Sequence, residues 1–146
     1  MNIVIDTNIL ISSLYKPSGI TYELMANLSS EHELFISDIS LTEIIKHQDR
    51  IIKSTKNSRV DFENLKLKLI AKTTIINLSS IPFSIVEYAY KLVKGIDEND
   101  IAFVATTIFT EGFLWTGDKP LYDGLKAKDF KNILNSNDIK KLTGYE

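Results

Sequence analysis

The chain opens on Ile3-Val4-Ile5, three β-branched aliphatic residues with no polar alternation, and the pattern breaks at once into Asp6-Thr7-Asn8. An unalternating apolar run of this kind predicts a short strand buried on both faces, as in a parallel sheet. Helical spacing follows from about Asn8 through Ile9, Leu10 and Leu14, stops at Lys16-Pro17-Ser18-Gly19, and resumes with Tyr22, Leu24, Met25 and Leu28. Glu33 to Ser37 reads as a second strand. Asp38 to about Ser54 reads as a helix with Ile39, Ile44, Ile45, Ile51 and Ile52 on its apolar side, and Phe62 to Ala71 as another with Leu65, Leu67, Leu69 and Ile70. Thr73 to Leu78 is rich in β-branched residues and is predicted to be extended. Pro82 suits the first turn of a helix that runs through Leu92 and ends at Gly95. A helix over Asp97 to Phe109, a buried strand over Gly112 to Thr116 and a short helix after Pro120 come next. A last strand over Phe130 to Leu134 and a terminal helix from about Asn135 complete the pattern. Strands separated by helices along the whole length imply an α/β fold with a parallel sheet covered on both faces.

Composition narrows the class. A chain of 146 residues, 44% hydrophobic and 25% charged, is enough to bury a core and fits one domain spanning 1–146. No repeat, low-complexity segment or Pro/Gly/Ser linker divides it. The absence of cysteine excludes disulfides and thiolate metal sites and fits a reducing compartment. No apolar run approaches the ~18 residues that span a bilayer, and the first strand is reached without a basic leader, so a cytoplasmic protein with no membrane partner is expected. The net charge of −2 argues against a generally polyanion-binding surface, so any nucleic acid must be held by a local basic patch.

Four acidic positions fall where predicted elements begin or end beside the sheet. Asp6 follows the first strand, Glu43 lies in the first turns of the helix after the second, Asp100 sits near the start of a later helix, and Asp118 follows the strand ending at Thr116. Each has a plain structural account. Asp6, Thr7 or Asn8 would cap the first helix, Ser40-x-x-Glu43 matches a capping box, Asp97 would cap the helix that contains Asp100, and Asp118 would cap the one that Pro120 opens. Together they admit a second account. A parallel α/β sheet can bring such positions to one edge, where carboxylates would repel one another unless a divalent cation shared them. Oxygen donors without cysteine or paired histidine fit a hard ion, Mg²⁺ or Mn²⁺, rather than zinc.

These residues resemble the PIN-domain metal-dependent ribonucleases, a family that includes the toxins of VapBC toxin–antitoxin pairs. The resemblance is carried by Ile5-Asp6-Thr7-Asn8-Ile9-Leu10-Ile11, by Ser37…Thr42-Glu43-Ile44, by Asp97-Glu98-Asn99-Asp100-Ile101-Ala102-Phe103-Val104-Ala105 and by Thr116-Gly117-Asp118-Lys119-Pro120-Leu121, in the family's order. It implies a PIN-like three-layer α/β/α fold with a central parallel sheet of about four to five strands. By position, Asp6, Glu43, Asp100 and Asp118 correspond to the family's catalytic acids, with Asp6, Asp100 and Asp118 as metal ligands. Asn8 and Thr116 stand where they could orient carboxylates or water by hydrogen bonding. Asp97 reads as either a further ligand or the helix cap, with the cap favoured. The implied chemistry is Mg²⁺- or Mn²⁺-assisted hydrolysis of an RNA phosphodiester, leaving a 5′-phosphate and a 3′-hydroxyl. Single-stranded DNA is a second candidate substrate, and the resemblance also brings a small antitoxin protein and a homodimer as partners.

A substrate patch is available. Between Lys46 and Lys72 eight cationic residues stand against three acidic ones, and Lys46, Arg50 and Lys53 recur at helical spacing directly after Glu43. They are candidates for holding a phosphate backbone, with a solvated helix face as the plainer account. His32 and His47 lack metal-ligand spacing. Phe103, Phe109, Phe113 and Trp115 belong to predicted core elements, whereas Tyr15, Tyr22, Tyr88 and Tyr90 lie on helices whose faces could serve a homodimer.

Two other classes compete with the nuclease reading. A catalytically silent PIN-fold binding module would be expected to have lost some of the acids. A receiver or aspartate-nucleophile phosphatase also places an Asp after the first strand, but the phosphatase pattern wants a second Asp where Asn8 stands, and the receiver pattern wants paired acids there and a mid-chain phosphoacceptor Asp.

Overall fold

The computed structural model describes residues 1–145. Five strands form one sheet: β1 (Asn2–Ile5), β2 (Glu33–Ser37), β3 (Thr74–Ile76), β4 (Phe113–Trp115) and β5 (Ile133–Leu134). All are parallel, in the order β3-β2-β1-β4-β5, so β1 is central and its neighbours come from far apart in the chain. Eight helices connect and cover the strands: α1 (Thr7–Tyr15), α2 (Ile20–Ser29), α3 (Asp38–Thr55), α4 (Arg59–Ala71), α5 (Phe83–Val93), α6 (Ile101–Phe109), α7 (Lys119–Ala127) and α8 (Ser136–Thr143).

Alternation along the strands decides what each face buries. Ile3, Ile5, Leu34, Ile36 and Trp115 face one layer with Leu10, Leu24, Met25, Ile44, Phe62 and Ile139 of α1, α2, α3, α4 and α8. Val4 and Leu114 face the other, made by α5, α6 and α7 through Ala89, Val93, Phe103, Leu121 and Leu125. The result is the three-layer α/β/α arrangement that the motifs implied. Because parallel strands all end on the same side, Asp6, Ser37 and Thr116 lie at the ends of β1, β2 and β4 on one edge.

Several elements depart from the sequence pattern in instructive ways. The segment Asp97 to Phe109 is not one helix: Glu98–Asp100 form a 3₁₀ turn and α6 starts at Ile101. The third strand is confined to Thr74–Ile76 and passes into a 3₁₀ turn at Leu78–Ser80, and the last holds only Ile133–Leu134 because Phe130 instead packs into the second core layer. On α3, Ile44 and Ile51 are buried but Ile45 is 57% exposed, since one residue along a helix is about 100° around it. Leu67 and Phe109 are likewise exposed, whereas Tyr15 and Tyr22 pack against the first layer.

β4 is threaded closely beside β1. A Cβ at Gly112 would lie 2.6 Å from the backbone carbonyl oxygen of Asn2, a contact that neither strand can relieve without shifting the pairing of Ile3 with Phe113. Gly112→Ala is therefore expected to destabilise the protein by about 1–3 kcal/mol, read as a lowered urea midpoint. An unchanged midpoint would show that the edge of the sheet yields at little cost.

Candidate metal centre

Local chemistry places each acid before any metal is considered. Asp6 is the N-cap of α1, and its Oδ1 accepts from the Asn8 amide at 3.4 Å. Asp97 caps the 3₁₀ turn through the Asn99 amide at 3.0 Å, and Asp118 caps α7 through Leu121 N–H at 3.0 Å, with Pro120 in the first turn. These caps use short polar side chains to satisfy amides that a helix start leaves free. The capping and the clustering are one arrangement: helix starts aimed at the same edge of the sheet carry their capping carboxylates to a common place.

The capping box expected at Ser40 and Glu43 does not form. The helix starts directly after the strand, so Ser37, still extended, is the cap and accepts from Ile39 N–H at 3.2 Å. Ser40 is then free for another task. Its hydroxyl meets Thr7 Oγ1 at 2.7 Å in a fully buried contact between α1 and α3, and Thr7 Oγ1 also donates to Glu43 Oε1 at 3.4 Å. Glu43 is thus steered by the hydroxyl of Thr7, which Ser40 contacts in turn, and Thr7 lies inside the Asp6-Thr7-Asn8 motif.

Asp6 and Asp118 are joined through Thr116, which is 1% exposed. Its hydroxyl donates to Asp6 Oδ2 at 2.7 Å and accepts from Asp118 N–H at 3.0 Å. Asn8 adds a bond from its amide nitrogen to Asp6 Oδ2 at 3.4 Å and takes Gly117 N–H on its own oxygen at 3.2 Å. Asn8 and Thr116 therefore both bond Asp6 and link it to the Gly117-Asp118 backbone.

Carboxylate oxygens of Asp97, Asp100 and Asp118 lie within 4.8 Å of one another. Asp97 thus both caps and joins the cluster, whereas Asp6, held by Thr116 and Asn8, is not one of the three. Asp6, Glu43, Asp97 and Asp100 share a cleft of about 540 Å³ with Lys46 and His47. Arg50 and Lys53 continue along the exposed side of α3, away from the cleft wall.

The electrostatics show what this crowding does. Burial first, and then the charges of Asp6, Asp97, Asp118 and Glu43, together push Asp100 up to about 7. Burial raises Asp6 to about 6 against the opposing bonds from Thr116 and Asn8. Glu43 is also raised, chiefly by burial, with the Thr7 bond and the Lys46 charge acting against it. Asp100 Oδ2 is buried with no hydrogen-bond partner among the described residues. A buried carboxylate oxygen without a partner is costly, and a cation would give it one. The donor set, hard oxygens around an orphaned one, fits Mg²⁺ or Mn²⁺.

The PIN domain family matches residues 4–137 of the chain. The fold is similar to that in the crystal structure of VapBC2 from Rickettsia felis bound to a DNA fragment from their promoter, with 18% identity over 92% of this chain and 98% of that one and a TM-score of 0.67. It is also similar to PAE2754 from Pyrobaculum aerophilum, with 14% identity over 100% of this chain and 97% of that one and a TM-score of 0.61. No curated protein matches the sequence. The two structures speak for the fold alone. The family match spans all four acidic segments, from the strand before Asp6 to the helix beyond Asp118, and the chain belongs to the PIN-domain family.

Proposed function

We propose that this chain is a Mg²⁺- or Mn²⁺-dependent endoribonuclease acting as one domain. The observation that carries the reading is the unpartnered, buried Asp100 Oδ2, on a carboxyl that burial and the charges of the neighbouring acids push up to about 7. Residues of a structural capping network would have satisfied that oxygen, whereas a cation site leaves it free. Asp100 and Asp118 would hold the ion, with Asp97 beside them and Asp6, fixed by Thr116, as the further acid. A divalent ion there supplies water activation and neutralises charge on the phosphate.

The chain's own groups do the rest. Thr116 and Asn8 hold Asp6 in one orientation, and Thr7 aims Glu43 into the cleft, where it can accept a proton from the attacking water. Lys46 lines the same cleft and offers a charge to the substrate phosphate, with Arg50 and Lys53 extending that charge along α3. RNA as substrate, with single-stranded DNA as the competing one, follows from the family resemblance and this cationic track.

The VapBC2 likeness supports a toxin role with a small antitoxin as partner, and a small gene immediately upstream encoding a DNA-binding protein would strengthen it. A homodimer is proposed on family grounds, with Tyr88 and Tyr90 of α5 exposed. Among the described residues no helix is long and apolar enough to cross a membrane.

The test is cleavage of a mixed pool of short single-stranded RNAs and DNAs with Mg²⁺, with Mn²⁺ and with EDTA, comparing wild type with Asp6→Asn and Asp118→Asn. RNA cutting that needs metal and disappears in both variants is expected. If the protein neither binds the metal nor cuts either polymer, the acids serve as caps and the silent binding module takes its place.

A further inference from the structure

We propose that the cleft on the far side of Asp118, between the starts of α7 and α8, is a nucleobase subsite that seats one of the two nucleotides flanking the scissile phosphate. The inference rests on the nuclease reading and adds to it a source of sequence preference. This second cleft, about 400 Å³, is walled by Asp118, Tyr122, Asn135, Ser136 and Asn137 and shares the Thr116-Gly117-Asp118 segment with the metal centre. Its volume falls in the ~300–1,000 Å³ range of sites that enclose small ligands.

The character of the lining selects a base over a phosphate. Lys119, the cation in this cleft, is paired with Asp123 at 2.6 Å, and Asp118 adds negative charge at the border. What remains uncommitted is neutral. Asn135 Oδ1 accepts from the Asp138 amide at 2.9 Å, which leaves its amino group to donate elsewhere. Ser136 Oγ accepts from Trp115 Nε1 at 3.1 Å and keeps its own proton. Asn137 is exposed and carries both a donor and an acceptor. Neutral amides and a hydroxyl match the donor and acceptor edges of an unpaired base, and the half-buried Tyr122 ring, with Lys126 Nζ 4.7 Å from its centre, forms the wall beside them.

The groups are also held in place. Asn135 and Asp138 make a reciprocal cap at the start of α8, with bonds of 3.0 and 2.9 Å. Tyr122 donates its hydroxyl to Asp138 Oδ2 at 3.0 Å, which ties α7 to the same cap. A site fixed before its ligand arrives loses less entropy on binding. The two sides of the metal centre thus differ in chemistry: Lys46 and His47 on the α3 side suit the backbone, and the α7–α8 side suits a base. A strand laid with its scissile phosphate on the carboxylates delivers an adjoining base into this cleft.

The experiment uses Asn135→Asp, which keeps the cap but removes the donor, and Asn137→Ala, which removes an exposed amide. Cleavage ends from a random single-stranded RNA pool are sequenced for wild type and both variants. Expected is a base preference in wild type at one position beside the cut, which at least one variant relaxes by ~5-fold or more, in line with what a base-edge hydrogen bond discriminates. A second readout needs neither metal nor turnover: amide NMR of wild type in EDTA with each of the four uncharged nucleosides should shift residues 135–138 and not those of α3. Cutting with no flanking preference, or with one that both variants preserve, would overturn the subsite and leave the nuclease reading standing. A wild type that cuts nothing with metal would remove the nuclease reading and the subsite with it, as would nucleoside shifts confined to α3 for the subsite alone.

Discussion

Asp100→Asn is expected to abolish metal-dependent cleavage, by ~100-fold or more, and at the same time to make the metal-free protein more stable near neutral pH. The two effects have one cause. In the folded chain Asp100 is raised from 3.8 to about 7 by burial and by the charges of Asp6, Asp97, Asp118 and Glu43. Between those values the unfolded chain ionises first, so the folded state binds more protons and loses stability as pH rises. Below 3.8 the group is protonated in both states and the contribution is fully present; above the folded value it is gone. An amide keeps the shape and removes the charge. At about pH 8 the variant should gain ~1–3 kcal/mol, discounted from about 1.4 kcal/mol per pKa unit because the site opens on solvent. Near pH 4 the gain should vanish. Saturating Mn²⁺ should reverse the order, because only wild type retains the full ligand set and binding stabilises by mass action, ~2.7 kcal/mol at a hundred times Kd. Urea unfolding at both pH values, with and without Mn²⁺, reads all of this; a metal-free variant less stable than wild type at the higher pH would show that charge crowding is not what strains the site.

Thr116→Val should be the most damaging substitution of a residue that bears no charge. Thr116 is 1% exposed, and its one hydroxyl serves two partners, donating to Asp6 Oδ2 and accepting from Asp118 N–H. Valine fills the same space but leaves a buried carboxylate oxygen and an amide without that partner, at a cost of ~1–3 kcal/mol for such a group. The Thr116 bond is also the largest effect holding Asp6 down, so Asp6 should titrate higher than its present value of about 6. Cleavage should fall ~10–100-fold, the usual penalty for losing a residue that orients a metal ligand, with part of the loss recovered as pH rises. Thr116→Ser keeps the hydroxyl and should stay near wild type in both stability and pH profile. If serine fails as badly as valine, the methyl group and not the hydroxyl is what matters.

The amino-acid sequence by itself determined most of the strands and helices and the order of the acids, but not the turn at Glu98–Asp100 or the short last strand. Ile3-Val4-Ile5 can only be a strand buried on both faces, Pro82 and Pro120 mark helix starts, and Asp6, Asp97 and Asp118 each cap the helical turn directly after them. These are effects of a few neighbouring residues, so periodicity and capping chemistry suffice to read them. The family motifs likewise sit on contiguous stretches, which made the four acids legible before any fold was known.

Only the tertiary structure decided which groups meet. Whether Ser40 caps its own helix or joins Thr7 depends on α1 packing against α3, and whether Asp97 is a cap or a member of the cluster turns out to be no choice, because the turn it caps points at Asp118. Thr116 reaches Asp6 across 110 positions of chain because β4 pairs with β1. The cleft beyond Asp118 exists only where α7 and α8 begin side by side. Contacts of that kind depend on strand order and helix packing, which balance chain entropy against burial over the whole molecule, and no local pattern of residues encodes them.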